Sequence, residues 1–315
     1  MNNDTLMSTF LLMRISNVRE LQILHFFLFL VLYLMSVTGN LLIIIAVALD
    51  YHLHTPIYFF LFNLAMLDLG SVSVTVPKSM AVSLMDDTSI SYAGCVAQVF
   101  CYLFFLTSGF CILVIMAHDR NIAICNPLQY ERIMHKGACF QMVAIGCFSS
   151  FFYALLHTVG TFANTFCSNT ASQFFCEIPQ LLKLSCSDLY LVEVGLFVVS
   201  CSIGLGSLIF ITKTYFQIFS TVLRIPSVHG QRKAFSTCIP HLMIVSMFVF
   251  SAACAYARPP SDTSAALDMA FAVAYAVIPP LLNPFLYSIR NKELKIALWK
   301  LLNFRFSSKT VRTHF

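Results

Sequence analysis

Two adjacent charged residues, Asp119 and Arg120, stand just after a long apolar run. The run Val96–Ala117 contains no charged residue, and the polar stretch that follows continues past Tyr130. Charges at a membrane boundary are costly unless they pair or reach water, and those that persist usually have a function. The simpler interpretation is an arginine that only reaches from a helix end toward the lipid headgroups. The pair therefore indicates either a functional site or a boundary contact.

A second group of polar side chains interrupts otherwise apolar sequence. It comprises Asn40, Asp68 and the block NPFLY at Asn283–Tyr287. A lone aspartate at membrane depth should face the interior of a helix bundle and find partners there. A polar residue that only holds helices together contributes about 1 kcal/mol, and we prefer that interpretation for Asn40. Pro284 removes one intrahelical hydrogen bond, which predicts a hinge.

No residue pattern typical of catalysis or of metal binding is found. His157, His241 and the scattered cysteines lack a metal-ligand spacing such as HExxH, and no Ser/His/Asp set clusters. We interpret both histidines as packing or polar-network residues. The sequence therefore predicts neither an enzyme nor a bound cofactor or metal.

The composition places these residues in a membrane protein. The chain is 58% hydrophobic and only 10% charged, whereas soluble domains carry about 25% charged residues. Seven apolar segments are each long enough for a membrane-spanning helix of about 20 residues. They run roughly His25–Leu49, Ile57–Val76, Val96–Ala117, Ala138–Phe162, Leu189–Ile211, Ala234–Ala257 and Leu267–Ile289.

These segments predict an all-α membrane protein. They lack the alternation of a closed barrel, and unpaired backbone cannot face lipid, so each segment is expected to be a helix. We predict one seven-helix domain over residues 1–315. It has an extracellular N-terminus (1–24), the helix bundle (25–289), and a short amphipathic helix and cytoplasmic tail (290–315).

The distribution of Lys and Arg predicts the orientation of the bundle. The loops after segments one, three and five, with the tail, carry Arg132, Lys136, Lys213, Arg224, Arg232, Lys233 and seven more from Arg290 to Arg312. The opposite side carries Arg14, Arg19, Lys78, Lys183 and Arg258. Positive charge favours the cytoplasmic side, so the N-terminus should lie outside. The net charge of +5 then indicates contact with anionic lipid and protein partners rather than with nucleic acid. The polar N-terminus shows no cleavable signal peptide.

Four of the twelve cysteines fall on the side expected to face an oxidising compartment, namely Cys95, Cys167, Cys176 and Cys186. An even number there predicts a disulfide framework, with free thiols as the alternative. Four cysteines allow three pairings, and their positions alone do not choose among them. Asn3 begins an Asn-Asp-Thr glycosylation sequon in the exposed N-terminus.

The stretch Met116–Tyr130, reading MAHDRNIAICNPLQY, resembles the signature MAYDRYVAICxPLxY of odorant receptors, a branch of the rhodopsin-like G-protein-coupled receptors. Twelve of the fifteen letters agree, with the two variable positions counted as free. Further shared blocks are PIYFF at Pro56–Phe60, KAFSTC at Lys233–Cys238 and the NPxxY block at Asn283–Tyr287. The resemblance covers about Leu21–Leu302 and points to the tetrapod-type (class II) branch.

The resemblance implies roles for the polar residues. Asp119 would hold Arg120 at rest, and Tyr215 and Tyr287 are the candidates to meet Arg120 when the bundle opens. The other residues of this implied switch and polar core are Asn283, Pro284, Asn40 and Asp68. It also implies the disulfides Cys95–Cys176 and Cys167–Cys186.

The resemblance further implies a ligand site in the outer half of the bundle. The candidate lining is apolar with a few hydroxyls and no fixed charge: Tyr102, Leu103, Leu106, Thr107, Val199, Ser200, Ile203, Val249, Ala252, Tyr256, Val273 and Ala276. For each residue, helix packing is the alternative. Similar receptors for amines hold an aspartate at the Tyr102 position, so we expect small, neutral, largely apolar volatile ligands of modest affinity.

Several residues depart from the odorant-receptor pattern. Gly109 stands where many relatives have Glu, which would remove a ligand from a sodium-type site with Asp68. Phe148 replaces a common Trp and Val249 a common Tyr, and His118 and Asn121 also stand where Tyr is usual. Val249 has no hydroxyl group, which argues against a receptor-activation step that relies on the Tyr hydroxyl usual at this position.

The function implied is an odorant receptor of the plasma membrane that activates a heterotrimeric stimulatory G protein and raises cAMP. The alternatives are a related receptor for another small lipophilic ligand, a transporter and a membrane enzyme. A transporter predicts charged pathway residues or broken helices in two matching halves, and neither is found.

Overall fold

The computed structural model describes residues 8–14, 16–85, 87–171, 173–186, 190–256 and 265–311. Within these ranges the helices are α1 (Arg19–Leu49), α2 (Pro56–Met85), α3 (Tyr92–Cys125), α4 (Tyr130–Ile133), α5 (Lys136–Phe162), α6 (Ile178–Lys183), α7 (Tyr190–Leu223), α8 (Val228–Tyr256), α9 (Ala265–Arg290) and α10 (Lys292–Val311). All but α4, α6 and α10 are long and apolar enough to cross a membrane. The predicted seven-helix bundle with a further helix at its C-terminal end is thus confirmed.

Several helices extend beyond the apolar segments that predicted them. Helix α2 continues from Val76 through Pro77 to Met85, and α7 continues from Ile211 to Leu223. The reason is that apolar sequence marks only the part of a helix that lies in hydrocarbon, about 30 Å thick. Backbone hydrogen bonding continues into the polar residues on either side.

Large apolar side chains cover the outside of the bundle. Examples are Leu24 on α1, Phe148 on α5 and Leu205 on α7, each at least 60% exposed. Exposed apolar surface on this scale does not occur on ordinary soluble monomers, whereas lipid is a suitable environment for it. The chain is therefore a multi-pass membrane protein, with polar groups turned inward.

Helices α1 and α9 approach each other closely at Gly39. A Cβ atom at Gly39 would lie 3.0 Å from the Cβ of Pro284, so a larger residue would push the helices apart. Pro284 has no backbone N–H and leaves the carbonyl of Pro280 without its intrahelical donor. The side-chain amide of Asn40 donates to that carbonyl at 2.9 Å. The buried Asn40 thus satisfies a backbone group that the proline has exposed.

The two ends of the bundle differ, and we name them by their residues. The disulfide end carries Cys95–Cys176 and Cys167–Cys186, and the Arg120 end carries Arg120 with the start of α10. At the disulfide end, strand β1 (Thr9–Leu11) pairs antiparallel with β2 (Ser89–Ser91), with Phe10 opposite Ile90. These strands were not predicted, because three residues show no periodic pattern.

Candidate functional site

A cavity lies between α2, α3, α8 and α9. Its wall is mostly carbon. It is lined by Leu64, Asp68 and Ser71 of α2, Tyr102, Phe105, Leu106, Gly109 and Leu113 of α3, Ile244 and Phe248 of α8, and Tyr275, Ala276, Pro279, Pro280 and Asn283 of α9.

Three of the predicted ligand residues line this cavity, namely Tyr102, Leu106 and Ala276. The cavity also reaches Asp68 and Asn283, which the sequence analysis had assigned to the polar core and the switch. The expected lining was apolar with a few hydroxyls and no fixed charge, so it did not include the carboxyl group that Asp68 brings to the cavity. Asn283 donates its side-chain amide to the Asp68 carboxylate at 2.7 Å, so this carboxyl group is held by α9.

Other predicted ligand residues lie beside the cavity rather than on its wall. Leu103 packs in a cluster under the disulfide end, and Val273 packs beside Tyr102. Val249 is partly buried against the large core at the Arg120 end. The Thr107 hydroxyl donates to the carbonyl of Leu103 in its own helix at 2.7 Å. None of these four residues lines the cavity.

The structure corrects the predicted contribution of α7. Val199 and Ile203 are 55% and 61% exposed on the outer surface of this helix, so they face lipid and not the cavity. Ser200 is turned toward α5 instead, where its Oγ lies 3.0 Å from His157 Nε2. On α8, the side chains of Ala252 and Tyr256 lie outside the described part of the structure, as does Asn3 of the sequon.

At the disulfide end, the segment between α5 and α7 covers the cavity. We call its described residues, 163–171 and 173–186, the lid. The Phe175 ring lies over Tyr102, with ring centroids 5.2 Å apart. The next residue, Cys176, is bonded to Cys95 at the start of α3, and its backbone N–H donates to the Gln98 side chain at 2.8 Å. Gln98 in turn donates to the carbonyl of Val74 on α2 at 2.9 Å. The lid is thus fixed to two helices of the cavity wall.

Strand β1 is hydrogen bonded to this lid. The backbone N–H of Leu11 donates to the carbonyl of Asn169 at 2.7 Å, and the N–H of Ala171 donates to the carbonyl of Leu11 at 2.8 Å. The fully buried Phe10 ring packs edge-on against Phe166. The lid therefore has its own small apolar core in addition to the two disulfides.

A carboxyl group in the lid contacts the cavity wall from outside. Glu177, which directly follows the disulfide-bonded Cys176, accepts a hydrogen bond from the Tyr275 hydroxyl. Glu177 is 9% exposed, and it is the residue before the short helix α6. Tyr275 lines the cavity, so this hydrogen bond joins the lid to the α9 side of the cavity wall.

A buried polar network joins α5 to α7; a packing or polar-network role was expected for His157, but its partner Glu193 was missed. His157 hydrogen bonds through Nδ1 to the Glu193 carboxylate, and through Nε2 it meets Ser200. Glu193 is 2% exposed, and a Cβ at Gly160 would lie 2.5 Å from its Oε2. The signal was present in the sequence, because Glu193 is the one charged residue of the fifth apolar segment.

At the opposite end, the Asp119 carboxylate is fully buried and held from two sides. Arg120 donates to Asp119 Oδ2 from Nε at 3.0 Å and from Nη2 at 2.7 Å. The Tyr130 hydroxyl donates to Asp119 Oδ1 at 2.8 Å. Burial, with the nearby Asp119 carboxylate, raises the pKa of Tyr130 well above its usual range. The sequence predicted the charge pair but gave Tyr130 no role.

Neither tyrosine expected to meet Arg120 is hydrogen bonded to it in this structure. The Tyr215 hydroxyl lies 2.8 Å from His241 Nδ1, and His241 Nε2 donates to the carbonyl of Leu113 at 2.9 Å. The Tyr287 hydroxyl points to the sulfur of Met116 at 3.8 Å. In this structure the side-chain partner of Arg120 is Asp119.

One residue that departs from the signature makes a contact of its own at this end. Asn121 donates to the Gln217 side chain of α7 at 3.2 Å. One turn further, the Cys125 thiol donates to the Thr221 hydroxyl at 3.4 Å. These two polar contacts join α3 to α7 beside the charge pair.

The arrangement of the helices is that of a rhodopsin-like receptor. Squid rhodopsin superimposes with a TM-score of 0.73 over 93% of this chain and 88% of its own, at 16% sequence identity. At that identity the likeness shows the fold alone.

The sequence comparisons show the family. A family model described as "Olfactory receptor" matches residues 29–305. Human olfactory receptor 14C36 is 48% identical over 99% of this chain and 100% of its own. Gorilla olfactory receptor 1G1 is 43% identical over 95% of this chain and 96% of its own. The chain belongs to the olfactory receptor family of class A G-protein-coupled receptors, which are receptors and not enzymes.

Proposed function

We propose that this olfactory receptor, of the tetrapod-type (class II) branch, binds small, neutral, largely apolar volatile molecules in the cavity described above. The observation that carries the proposal is the cavity wall, which is mostly carbon and is covered by an aromatic lid. Burying an unpaired ion in such a site is far more costly than burying a hydrogen-bonded dipole. Position 102 is a tyrosine, so the cavity has no carboxylate there to pair with an ammonium group.

The polar side chains near the cavity support the same ligand class. The Thr107 hydroxyl is used by its own helix, and the Ser200 hydroxyl donates to the carbonyl of Leu196 at 2.8 Å. The Asp68 carboxyl group accepts a hydrogen bond from Asn283. With few donors turned toward the ligand, shape and apolar contact supply most of the binding energy, and the affinity is modest.

For signalling, we propose that the disulfide end faces the outside of the cell and the Arg120 end faces the cytoplasm. The disulfides suit an oxidising compartment, and the excess of Lys and Arg lies toward the Arg120 end. Agonist binding releases Arg120 from Asp119, and Arg120 then contacts a helix of a stimulatory G protein, which raises cAMP. Tyr215 and Tyr287 leave their present partners, His241 and Met116, and become the partners of Arg120 in that open state.

A cAMP assay in transfected cells tests this function. The ligands are a panel of matched hydrocarbons, esters, alcohols, amines and carboxylic acids, each below roughly 20 heavy atoms, a size that suits pockets of about 300 Å³ and larger. We expect responses to the neutral members only. Activation by protonated amines or carboxylates alone would refute the ligand class.

Arg120→Ala provides the matched control for signalling. It should abolish the cAMP response while the amount of receptor at the cell surface, measured by antibody staining of an N-terminal tag, stays near that of the wild type. A full response from this variant would refute the role of Arg120.

A further inference from the structure

Tyr275 differs from the other hydroxyl residues near the cavity. Thr107 and Ser200 use their hydroxyls within their own helices, whereas the Tyr275 hydroxyl is donated to a carboxylate that stands outside the cavity wall. Tyr275 lines the cavity beside Ala276. The hydroxyl of a cavity-lining residue is therefore hydrogen bonded to Glu177.

The strength of this contact decides whether a ligand can compete for it. A hydrogen bond to an ionised acceptor is about twice as strong as one between neutral groups. A ketone or ester oxygen is a neutral acceptor, so it does not displace the Glu177 carboxylate. The position of Glu177 is also fixed, because it follows Cys176, which is bonded to α3 and anchored by Gln98.

We propose that Glu177 determines ligand specificity from outside the cavity by holding the Tyr275 hydroxyl away from the ligand. In the wild-type receptor, a ligand oxygen near Tyr275 then forms no hydrogen bond with the Tyr275 hydroxyl. The receptor therefore selects ligands at this part of the wall by their shape. This inference rests on the proposed function, because it concerns ligands of that same cavity.

The test compares two odorants of the same shape, a ketone and the hydrocarbon in which a methylene replaces its carbonyl group. The measured quantity is the ratio of their half-maximal concentrations in the cAMP assay. In Glu177→Ala the Tyr275 hydroxyl loses this acceptor, and in Glu177→Gln the acceptor becomes a neutral amide oxygen with which a ketone can compete. The ratio should therefore shift toward the ketone in both variants, and further in Glu177→Ala. The expected shift is about fivefold, the value of one neutral hydrogen bond.

Tyr275→Phe supplies the decisive control. Because the wild-type hydroxyl does not contact the ligand, this variant should leave the ketone-to-hydrocarbon ratio unchanged. In the double variant with Glu177→Gln, the shift toward the ketone should disappear. Asp87→Asn removes a carboxylate charge from an exposed position at the same end, and it should not change the ratio.

Two results would overturn the proposal. One is an unchanged ratio in both Glu177 variants, and the other is a loss of ketone preference in Tyr275→Phe alone. If the Glu177 variants do not reach the cell surface, the Tyr275→Phe ratio still decides, because a fivefold loss there shows that the hydroxyl already contacts the ligand. A wild-type receptor that responds to no neutral odorant would instead contradict the proposed function.

Discussion

The buried Asp119 carboxylate offers a direct way to bias the proposed switch through Tyr130→Phe. This change removes the hydroxyl that donates to Asp119 Oδ1 at 2.8 Å, and it keeps the ring. Arg120 contacts the other oxygen, so Oδ1 loses this donor while the carboxylate remains fully buried. A hydrogen bond to a charged group contributes about 1.5–3 kcal/mol.

The expected effect is a higher ligand-free activity. If the Tyr130 bond exists only while Asp119 holds Arg120, its loss destabilises the closed state alone and shifts the equilibrium by about 10- to 150-fold toward the open one. Basal cAMP should therefore rise until the open state is fully populated. The assay is ligand-free cAMP divided by the amount of receptor at the cell surface.

A change in agonist potency is also expected in Tyr130→Phe. Agonists bind the open state better, so they should become more potent in Tyr130→Phe, since less of their binding energy is used to open the bundle. Glu131→Gln is the matched control, because it alters the neighbouring residue on α4. Unchanged basal activity and unchanged agonist potency, together with a lower unfolding temperature, would show that the bond exists in both states and would refute the switch role of Tyr130.

Two further predictions concern the contacts that hold the bundle together. Cys95→Ser and Cys176→Ser should lose surface expression to the same extent, and the double variant should be no worse. The reason is that either change removes the same cross-link, which contributes about 2–4 kcal/mol. Additive losses in the staining assay would contradict the pairing. Asn40→Ala should lower the unfolding temperature of the purified receptor by leaving the Pro280 carbonyl without its donor, at about 1–3 kcal/mol. The loss should be smaller in a Pro284→Ala background, where a restored backbone N–H can serve that carbonyl, and equal losses in both backgrounds would refute this account.

The number and type of helices could be predicted from sequence because lipid imposes a strict requirement. Each span needs about 20 apolar residues, and no other backbone structure except a closed barrel satisfies its hydrogen bonds in hydrocarbon. A charge pair such as Asp119–Arg120 is visible for the same reason, since charges are rare at that depth. The helical spans and the charge pair depend on local sequence, and the structure has both of them in the predicted segments.

The rotation of a helix about its axis could not be predicted for α7. Its segment is apolar on all sides apart from Glu193, so hydrophobic periodicity does not distinguish the face toward lipid from the face toward the bundle. As a result, Val199 and Ile203 were assigned to the cavity, although they are exposed. Glu193 was the better guide, because an acidic side chain in a span must turn inward, and here it turns to His157.

The lid could not be predicted because its contacts join residues far apart in the chain. Strand β1 pairs with β2 and with the segment around Asn169, and each contact involves only a few backbone groups. Such short strands have no pattern of their own, and register over three residues is set by the surrounding core rather than by alternation. A disulfide also joins cysteines that are far apart in the chain. The pairing was therefore predicted from the family resemblance and not from the positions of the cysteines.

Helix α9 links the lid, the cavity and the Arg120 end. Three prolines lie inside it, and each withholds a backbone donor that a regular helix would use. Asn40 donates to the Pro280 carbonyl that Pro284 leaves without a donor, and the side chains of Tyr275 and Asn283 bond to Glu177 and Asp68. A helix that has fewer backbone hydrogen bonds and is bonded to its neighbours can change position when those neighbours move. A ligand that touches Tyr275 and Ala276 thus acts on the same element that carries Tyr287 to the Arg120 end, which gives the cavity a physical route to the switch.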